Sequence, residues 1–462
     1  MILARLALVD AKPAVSVVYG LPCERVSAPR GFSIAGCSAV EKLAIRKRLD
    51  ALARIAMALI LVALAVAATR QGVASWLGSA DSLARVRAAE RWDSSNPDFA
   101  VTAAEILSRT PDVPSAGVIS SLELAARTAP NRALEWAMLG DAYGTAGDDS
   151  AANAAFRHAL ELFPRSPKIN WMYANFLIRS GDIRSAIGPL HLTIEGDEAL
   201  RTGAFDLAWR AGLPEDRILA AVPELPETLS AYLDYLVRTN RLDAAATVWP
   251  RLLAQPGRMD FDAAFRYFDG LLYAHRIDDM ARLWSDLARR DPSRIPPAAN
   301  DSNLLLNGGF EAAPLNGGFD WHLVPVQGAE IFEDSTTASS GSHSLCIHFD
   351  GEHNLEFTHV VQYVPVVPGV RYAFTAFARA DNITTDSGPR FAIYDAFDHK
   401  QLSIETPGMV GTFGWEKLRV EFTTGPATKL LVIQILRPPS TKFDNQIAGA
   451  LWVDDVSLVR MR

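Results

Sequence analysis

Apolar positions recur along this chain in two rhythms, and the rhythm changes near residue 300. Between Asn131 and Pro164, Trp136, Leu139, Gly140, Tyr143, Ala152, Phe156, Ala159 and Pro164 fall at i, i+3, i+4 and i+7 in two runs that flank Gly147-Asp148. That spacing lays one apolar stripe along each of two helices joined by a short turn. Gly147 supplies the left-handed residue that ends the first helix, and Pro164 stops the second. Adding 34 to position 147 reaches Gly181, again followed by Asp, with Ala186 and Leu190 where Ala152 and Phe156 stand. The pattern returns at Asn240 with Ala245 and Trp249, and at His275 with Met280, Trp284 and Leu287; between Gly181 and Asn240 the period shortens. Asn tolerates the left-handed conformation and His does so less readily. The repeat predicts an all-α solenoid over residues 79–295, built of helix pairs that bury their stripes only by stacking on neighbours.

After Asp291-Pro292-Ser293-Arg294-Ile295-Pro296-Pro297 the period becomes two and the residues become β-branched and aromatic. Val360–Val367, Arg371–Arg379, Arg390–Ala396, Lys417–Thr423, Leu430–Leu436 and Leu451–Leu458 read as strands. Leu418, Val420 and Phe422 alternate with Lys417, Arg419 and Glu421, as in a sheet with one wet face, whereas Leu430–Leu436 is nearly all apolar and suits a strand covered on both sides. Residues 303–462 therefore predict an all-β sandwich of jelly-roll type.

A third pattern precedes both. Ile55–Thr69 carries fifteen uncharged residues, a helix of about 22 Å, short of a ~30 Å hydrocarbon core. Counted as residues 51–70 the span is adequate, with Arg54 and Arg70 snorkelling to the interfaces. Lys42, Arg46, Lys47, Arg48 and Arg54 precede the run, which places residues 1–50, a mostly disordered arm, in the cytoplasm and everything after residue 70 in the periplasm or outside the cell. Three readings stand: a signal-anchor crossing the inner membrane, a signal cleaved near Ala63-Leu64-Ala65 or Ala65-Val66-Ala67 and followed by secretion, and a buried soluble helix.

Composition narrows the function. A net charge of −8 over 462 residues argues against a nucleic-acid partner. Cys23, Cys37 and Cys346 are too few for a disulfide framework, so packing carries the stability.

Two resemblances follow. The Trp136-to-Pro164 spacing resembles the tetratricopeptide repeat, whose W…L-G…Y…A…F…A…P positions it matches. The resemblance implies that first helices line a concave groove for a protein partner, with Lys168, Trp171, Asn175 and Arg179 on one helix face as contact positions. A solvated face with Trp171 packed on the next repeat is the alternative. Asn307-Gly308-Gly309-Phe310-Glu311, Gly318-Phe319-Asp320-Trp321, Ser340-Gly341-Ser342-His343-Ser344-Leu345 and the closing Trp452-Val453-Asp454-Asp455-Val456-Ser457-Leu458 resemble jelly-roll carbohydrate-binding modules. That resemblance implies a polysaccharide ligand and, where the first and last strands meet, a structural calcium held by Asp454 and Glu311. Alternation puts Asp454 on the apolar side with Trp452, Val456 and Leu458; an ion pair satisfies a buried carboxylate there as well as a calcium does.

Sugar binding needs exposed aromatic faces, and Trp321, Tyr363, Tyr394 and Trp415 are the candidates, each of which also reads as a core or strand-pairing residue. No catalytic motif appears: there is no G-x-S-x-G, no phosphate loop and no H-E-x-x-H, and His343 and His348 are five apart in a strand, on opposite faces. The expectation is a membrane-anchored scaffold without enzymatic activity, binding a protein through its solenoid and an envelope or extracellular polysaccharide through its sandwich. The alternatives are a glycoside-hydrolase-associated or hydrolytic protein, and a pure protein-interaction scaffold.

Overall fold

The computed structural model describes residues 39–111, 114–257, 259–295 and 303–461, with side chains from residue 48 onward. The described chain falls into two units, one ending at Leu77 and the other beginning at Gly78. Most of the arm expected over residues 1–50, with Cys23 and Cys37, lies outside the described residues. Helix α1 begins at Ala39 and continues to Gly78. Within α1, Arg48–Gly78 is long and apolar enough to cross a membrane, and its most apolar window has a mean hydropathy of 2.5 and no buried residues.

Among the described residues, the second unit opens with thirteen helices. They are α2 (Leu83–Trp92), α3 (Pro97–Arg109), α4 (Ser115–Thr128), α5 (Ala133–Ala146), α6 (Asp149–Leu162), α7 (Pro167–Arg179) and α8 (Ile187–Gly196). After these come α9 (Glu198–Arg210), α10 (Glu215–Ala221), α11 (Pro226–Arg238), α12 (Leu242–Leu253), α13 (Phe261–Tyr273) and α14 (Ile277–Arg290). From α5 onward, each turn between paired helices passes through one left-handed residue: Gly147 at φ 86°, Gly181 at 86°, Gly212 at 70°, Asn240 at 55° and His275 at 58°. The last two are non-glycine residues in a conformation glycine adopts without a Cβ clash, so the turn geometry survives where the sequence signal degrades. First helices contact first helices along the stack, α5 on α7, α7 on α9, α9 on α11 and α11 on α13. Phe156 stacks on Phe176 of the next pair at 5.5 Å, and Phe205 meets Tyr232 at 4.8 Å. One core runs from Ala137 through these rings to Leu287.

Among the described residues the sandwich has ten strands: β1 (His322–Leu323), β2 (Ala329–Asp334), β3 (Ser344–Asp350), β4 (Phe357–Pro365) and β5 (Arg371–Ile383), then β6 (Arg390–Asp395), β7 (Ser403–Glu405), β8 (Gly411–Thr423), β9 (Leu430–Arg437) and β10 (Ala448–Arg460). They form two five-stranded antiparallel sheets, ordered β1-β4-β9-β6-β7 and β2-β3-β10-β5-β8. The alternation of period two sends Leu345, Ile347 and Phe349 from one sheet, and Leu431, Ile433 and Ile435 from the other, into a shared core.

The solenoid and the sandwich pack against each other. Leu306, Phe319 and Leu430 of the β-domain belong to the same buried cluster as the last helices. Phe319 presses edge-on into Phe268 at 4.8 Å and Trp284 at 5.8 Å. Its loop can come this close because of two glycines: a Cβ at Gly317 would lie 2.2 Å from the Phe265 ring, and one at Gly318 (φ 64°) 2.0 Å from Trp284. His275, at the last left-handed turn, stacks on Phe397 at 3.9 Å. This docking covers the outer side of β9 at Leu430, whereas the outward-facing Gln434 and Leu436 further along the strand stay half-exposed.

Candidate functional site

The strand register brings two of the four candidate aromatics together. Tyr363 of β4 and Tyr394 of β6 both pair with Val432 of the intervening β9. Because Leu431 and Ile433 point into the core, Val432 and both tyrosines lie on the outer face of the first sheet. The next row is His322, Val361, Gln434 and Ala392. Both tyrosines are half-buried. The Tyr394 hydroxyl donates to Gln434 Oε1 at 3.1 Å and its ring packs on His399 at 4.4 Å, while Gln434 Nε2 donates to the Thr358 carbonyl at 2.9 Å. His322 meets the Tyr363 ring edge-on at 5.5 Å. Burial raises the pKa of both tyrosines, so both hydroxyls stay protonated.

The other two candidates lie elsewhere. Trp321 is fully buried: it packs on Phe310 at 5.4 Å, and its indole N–H donates to the Asn307 carbonyl at 3.2 Å. The ring presents no face to a sugar, and the GFDW segment serves the core. Trp415 is half-buried on β8 of the opposite sheet, away from the tyrosine row.

The expected calcium position is organised by hydrogen-bond donors. Asp454 is fully buried as anticipated, but for a different reason. A bulge at Asp455, with φ 49°, breaks the alternation in β10, so Asp454 does not share a side with Val456 and Leu458. Its Oδ2 accepts from the Ser339 and Ser340 amides at 2.7 and 3.1 Å, and its Oδ1 from the Asp455 amide at 2.7 Å. Glu311 Oε1 accepts from the Ser342 and His343 amides at 2.8 and 3.1 Å, and Oε2 from the Ser342 hydroxyl at 2.9 Å. A calcium needs six to eight free oxygens. Here each carboxylate oxygen already accepts from an N–H or O–H, three of them from the loop at residues 339–343 and Asp454 Oδ1 from Asp455, so the donor set does not fit the ion. Among the described residues no cluster of three His, Cys, Asp or Glu side chains suits a metal. The same bonds pull the Glu311 pKa down to about 2, with the Ser342 amide the largest cause, whereas burial raises that of Asp454.

On the solenoid, the Lys168 face offers less free charge than its sequence implies. Arg179 is paired with Asp141 at 2.6 Å, and the Asn175 amide donates to the Trp171 carbonyl at 2.8 Å. Trp171 packs where a Cβ at Gly203 of α9 would lie 3.5 Å away. Lys168 is exposed. A cavity of about 380 Å³ opens further upstream, between α3, α4, α5 and α7, lined by Leu107, Val118, Leu122, Met138, Ala142 and Met172. Sequence reasoning missed it because these residues belong to helix stripes that read as ordinary repeat packing.

No protein-family model and no curated protein matches the chain. Among solved structures, the enzymatically active domain of tailspike protein 4 from bacteriophage CBA120 is similar at 14% identity and a TM-score of 0.26; the match covers 34% of this chain and only 21% of that one. A family 16 carbohydrate-binding module is similar at 18% identity over 34% of this chain and 99% of its own, with a TM-score of 0.25. PilW, a type IV pilus biogenesis factor, is similar at 17% identity over 43% of this chain and 94% of its own, with a TM-score of 0.22. These values assign the chain to no family and give it no ligand.

Proposed function

We propose that this is a membrane-anchored binding protein, not a hydrolase, whose sandwich holds a glycan on the outer face of its first sheet while the solenoid groove receives a protein partner. The observation that carries the reading is the register Tyr363–Val432–Tyr394. It sets two half-buried aromatic rings on either side of the buried Val432, with Gln434 and His322 in the adjacent row. Sugar rings stack on such aromatic faces. The apolar span Arg48–Gly78 supports an anchor that leaves the second unit on the far side of the inner membrane, in reach of envelope or extracellular polysaccharide. The cavity between α3, α4, α5 and α7, lined by Met138 and Met172 among apolar residues and by Glu105 and Asp141, suits a peptide with an apolar and a basic side chain.

The test uses the full chain in detergent on an array of neutral, amino and uronic-acid oligosaccharides. The expected result is binding that Tyr363→Ala and Tyr394→Ala each weaken about tenfold or more, as for loss of an aromatic contact, and that Trp415→Ala leaves unchanged. Absence of binding to every glycan would overturn the sugar-linked reading.

A further inference from the structure

The sandwich has a second outer face, on the sheet β2-β3-β10-β5-β8. The solenoid leaves it open, since no residue of that sheet belongs to the buried cluster the two domains share. Alternation sends Leu345 and Ile347 of β3 inward, so Cys346 points out. The register then lays Phe332, Cys346, Trp452 and Arg379 in one row across β2, β3, β10 and β5. Cys346 is only 2% exposed, whereas Phe332 is 41% exposed and Trp452 is half-buried. The two flanking rings therefore close over the thiol and lie along the sheet instead of standing off it. The Trp452 indole N–H donates to Asp334 Oδ2 at 2.7 Å, which fixes the ring and occupies that carboxylate.

The positive charge beside these rings is uncommitted. Arg379 lies over the Trp452 ring at 5.5 Å. In the next row of the same face, Lys417 of β8 lies over Phe377 of β5 at 5.6 Å. Both cations are exposed, and neither has an ion pair or a side-chain hydrogen bond among the described residues. Arg371 and Arg419, further along the same two strands, are by contrast tied to Glu421. Rows of one face lie about 7 Å apart, so Arg379 and Lys417 act on one bound anion chain together. The row on the other side of Arg379 ends in the exposed Glu330 and Asp381, which hold an anionic ligand to the Arg379 and Lys417 rows.

The kind of anion follows from the floor. Strands β10 and β5, which carry Trp452 and Arg379, are hydrogen-bonded on both sides, so a peptide cannot add to them as a further strand and side chains alone do the recognising. Aromatic rings beside two cations match a ligand whose units each carry an apolar ring face and a carboxylate, which is the chemistry of a uronic acid. An acidic peptide supplies the charge without the flat apolar face.

We propose that the outer face of the second sheet is a separate site for uronate-bearing oligosaccharides, with Phe332 and Trp452 under the sugar rings and Arg379 and Lys417 on the carboxylates. It is independent of the tyrosine row on the opposite sheet, and each site stands if the other falls.

The experiment titrates the full chain in detergent with three probes of equal length: a uronic-acid oligosaccharide, its carboxyl-reduced neutral counterpart and a polyglutamate peptide. Wild type is compared with Phe332→Ser, Arg379→Gln, Lys417→Gln, the double variant of both cations, Tyr394→Ala, and Lys429→Gln as an exposed cation off this face; circular dichroism checks folding. Wild type is expected to bind the uronate more tightly than polyglutamate and to lose affinity as salt is raised. Each cation variant is expected to weaken uronate binding about threefold and the double variant about tenfold. Phe332→Ser is expected to cost about threefold to tenfold. Lys429→Gln is expected to change nothing, and Tyr394→Ala to weaken neutral-sugar binding while uronate binding stays. Uronate binding that the double variant leaves unchanged, or that Tyr394→Ala alone abolishes, overturns the second site. Polyglutamate bound as tightly as uronate overturns the sugar assignment. A wild type that binds the neutral probe and no uronate sinks this site and leaves the tyrosine row standing; uronate binding lost only with Arg379 and Lys417, with no neutral binding, does the reverse.

Discussion

Glu311 and Asp454 are neighbours around one loop, and their proton affinities move in opposite directions. Glu311 gains bonds only when ionised, so its pKa falls from 4.5 to about 2 on folding. A carboxyl depressed in this way adds stability that is fully present above about pH 4.5 and disappears as the pH drops towards 2. Asp454 contributes the reverse slope, because burial favours its protonated form. The wild-type protein should therefore lose stability on acidification through that window, and Glu311→Gln should flatten the loss; denaturant midpoints at pH 7, 4.5 and 3 measure both. Since the loop offers N–H donors and few free oxygens, a calcium chelator should leave the pH 7 midpoint unmoved, and a rise with added calcium would show that the loop turns its carbonyls inward. Arg437 plays a related part at the far end of β9. Fully buried without a carboxylate, it donates to Asn354 Oδ1 and to the Leu355, Ser387 and Asn445 carbonyls, and so ties three loops together.

Single elements succeed or fail on how closely their neighbours approach. A Cβ at Gly140 of α5 would lie 2.8 Å from the Phe156 ring of α6, so Gly140→Val should overpack the helix pair. The expected cost is about 1–3 kcal/mol, read as a lowered melting temperature, with Gly147→Ala penalised separately through its φ of 86°. Both positions were legible in the sequence, because small and left-handed residues leave a periodic mark. The turn at His275 was legible for the same reason, although a histidine conceals it. Strands β4, β5, β6, β8, β9 and β10 were also legible from their β-branched and apolar patterns, whereas the three-residue β7 was not. Three things were not. The bulge at Asp455 shifts a face without changing the residue pattern, so Asp454 was placed inside by a faulty count. Trp321 looks like any other Trp near a strand until its burial is seen. The third is the meeting of Tyr363 with Tyr394, which depends on the strand order β4-β9-β6, and no local signal encodes that order.

At the scale of the molecule, the feature that matters is that the β-domain is docked onto the last helix pair through Phe319. That ring touches both Phe268 and Trp284, and Leu306 and Leu430 extend the same buried cluster. Buried apolar area of this kind makes two domains unfold together, whereas a bare linker lets them melt independently. Phe319→Ala removes the central ring and should cost about 3–5 kcal/mol of docking free energy. Calorimetry of the full chain in detergent is expected to show one cooperative transition for wild type and two separated transitions for the variant.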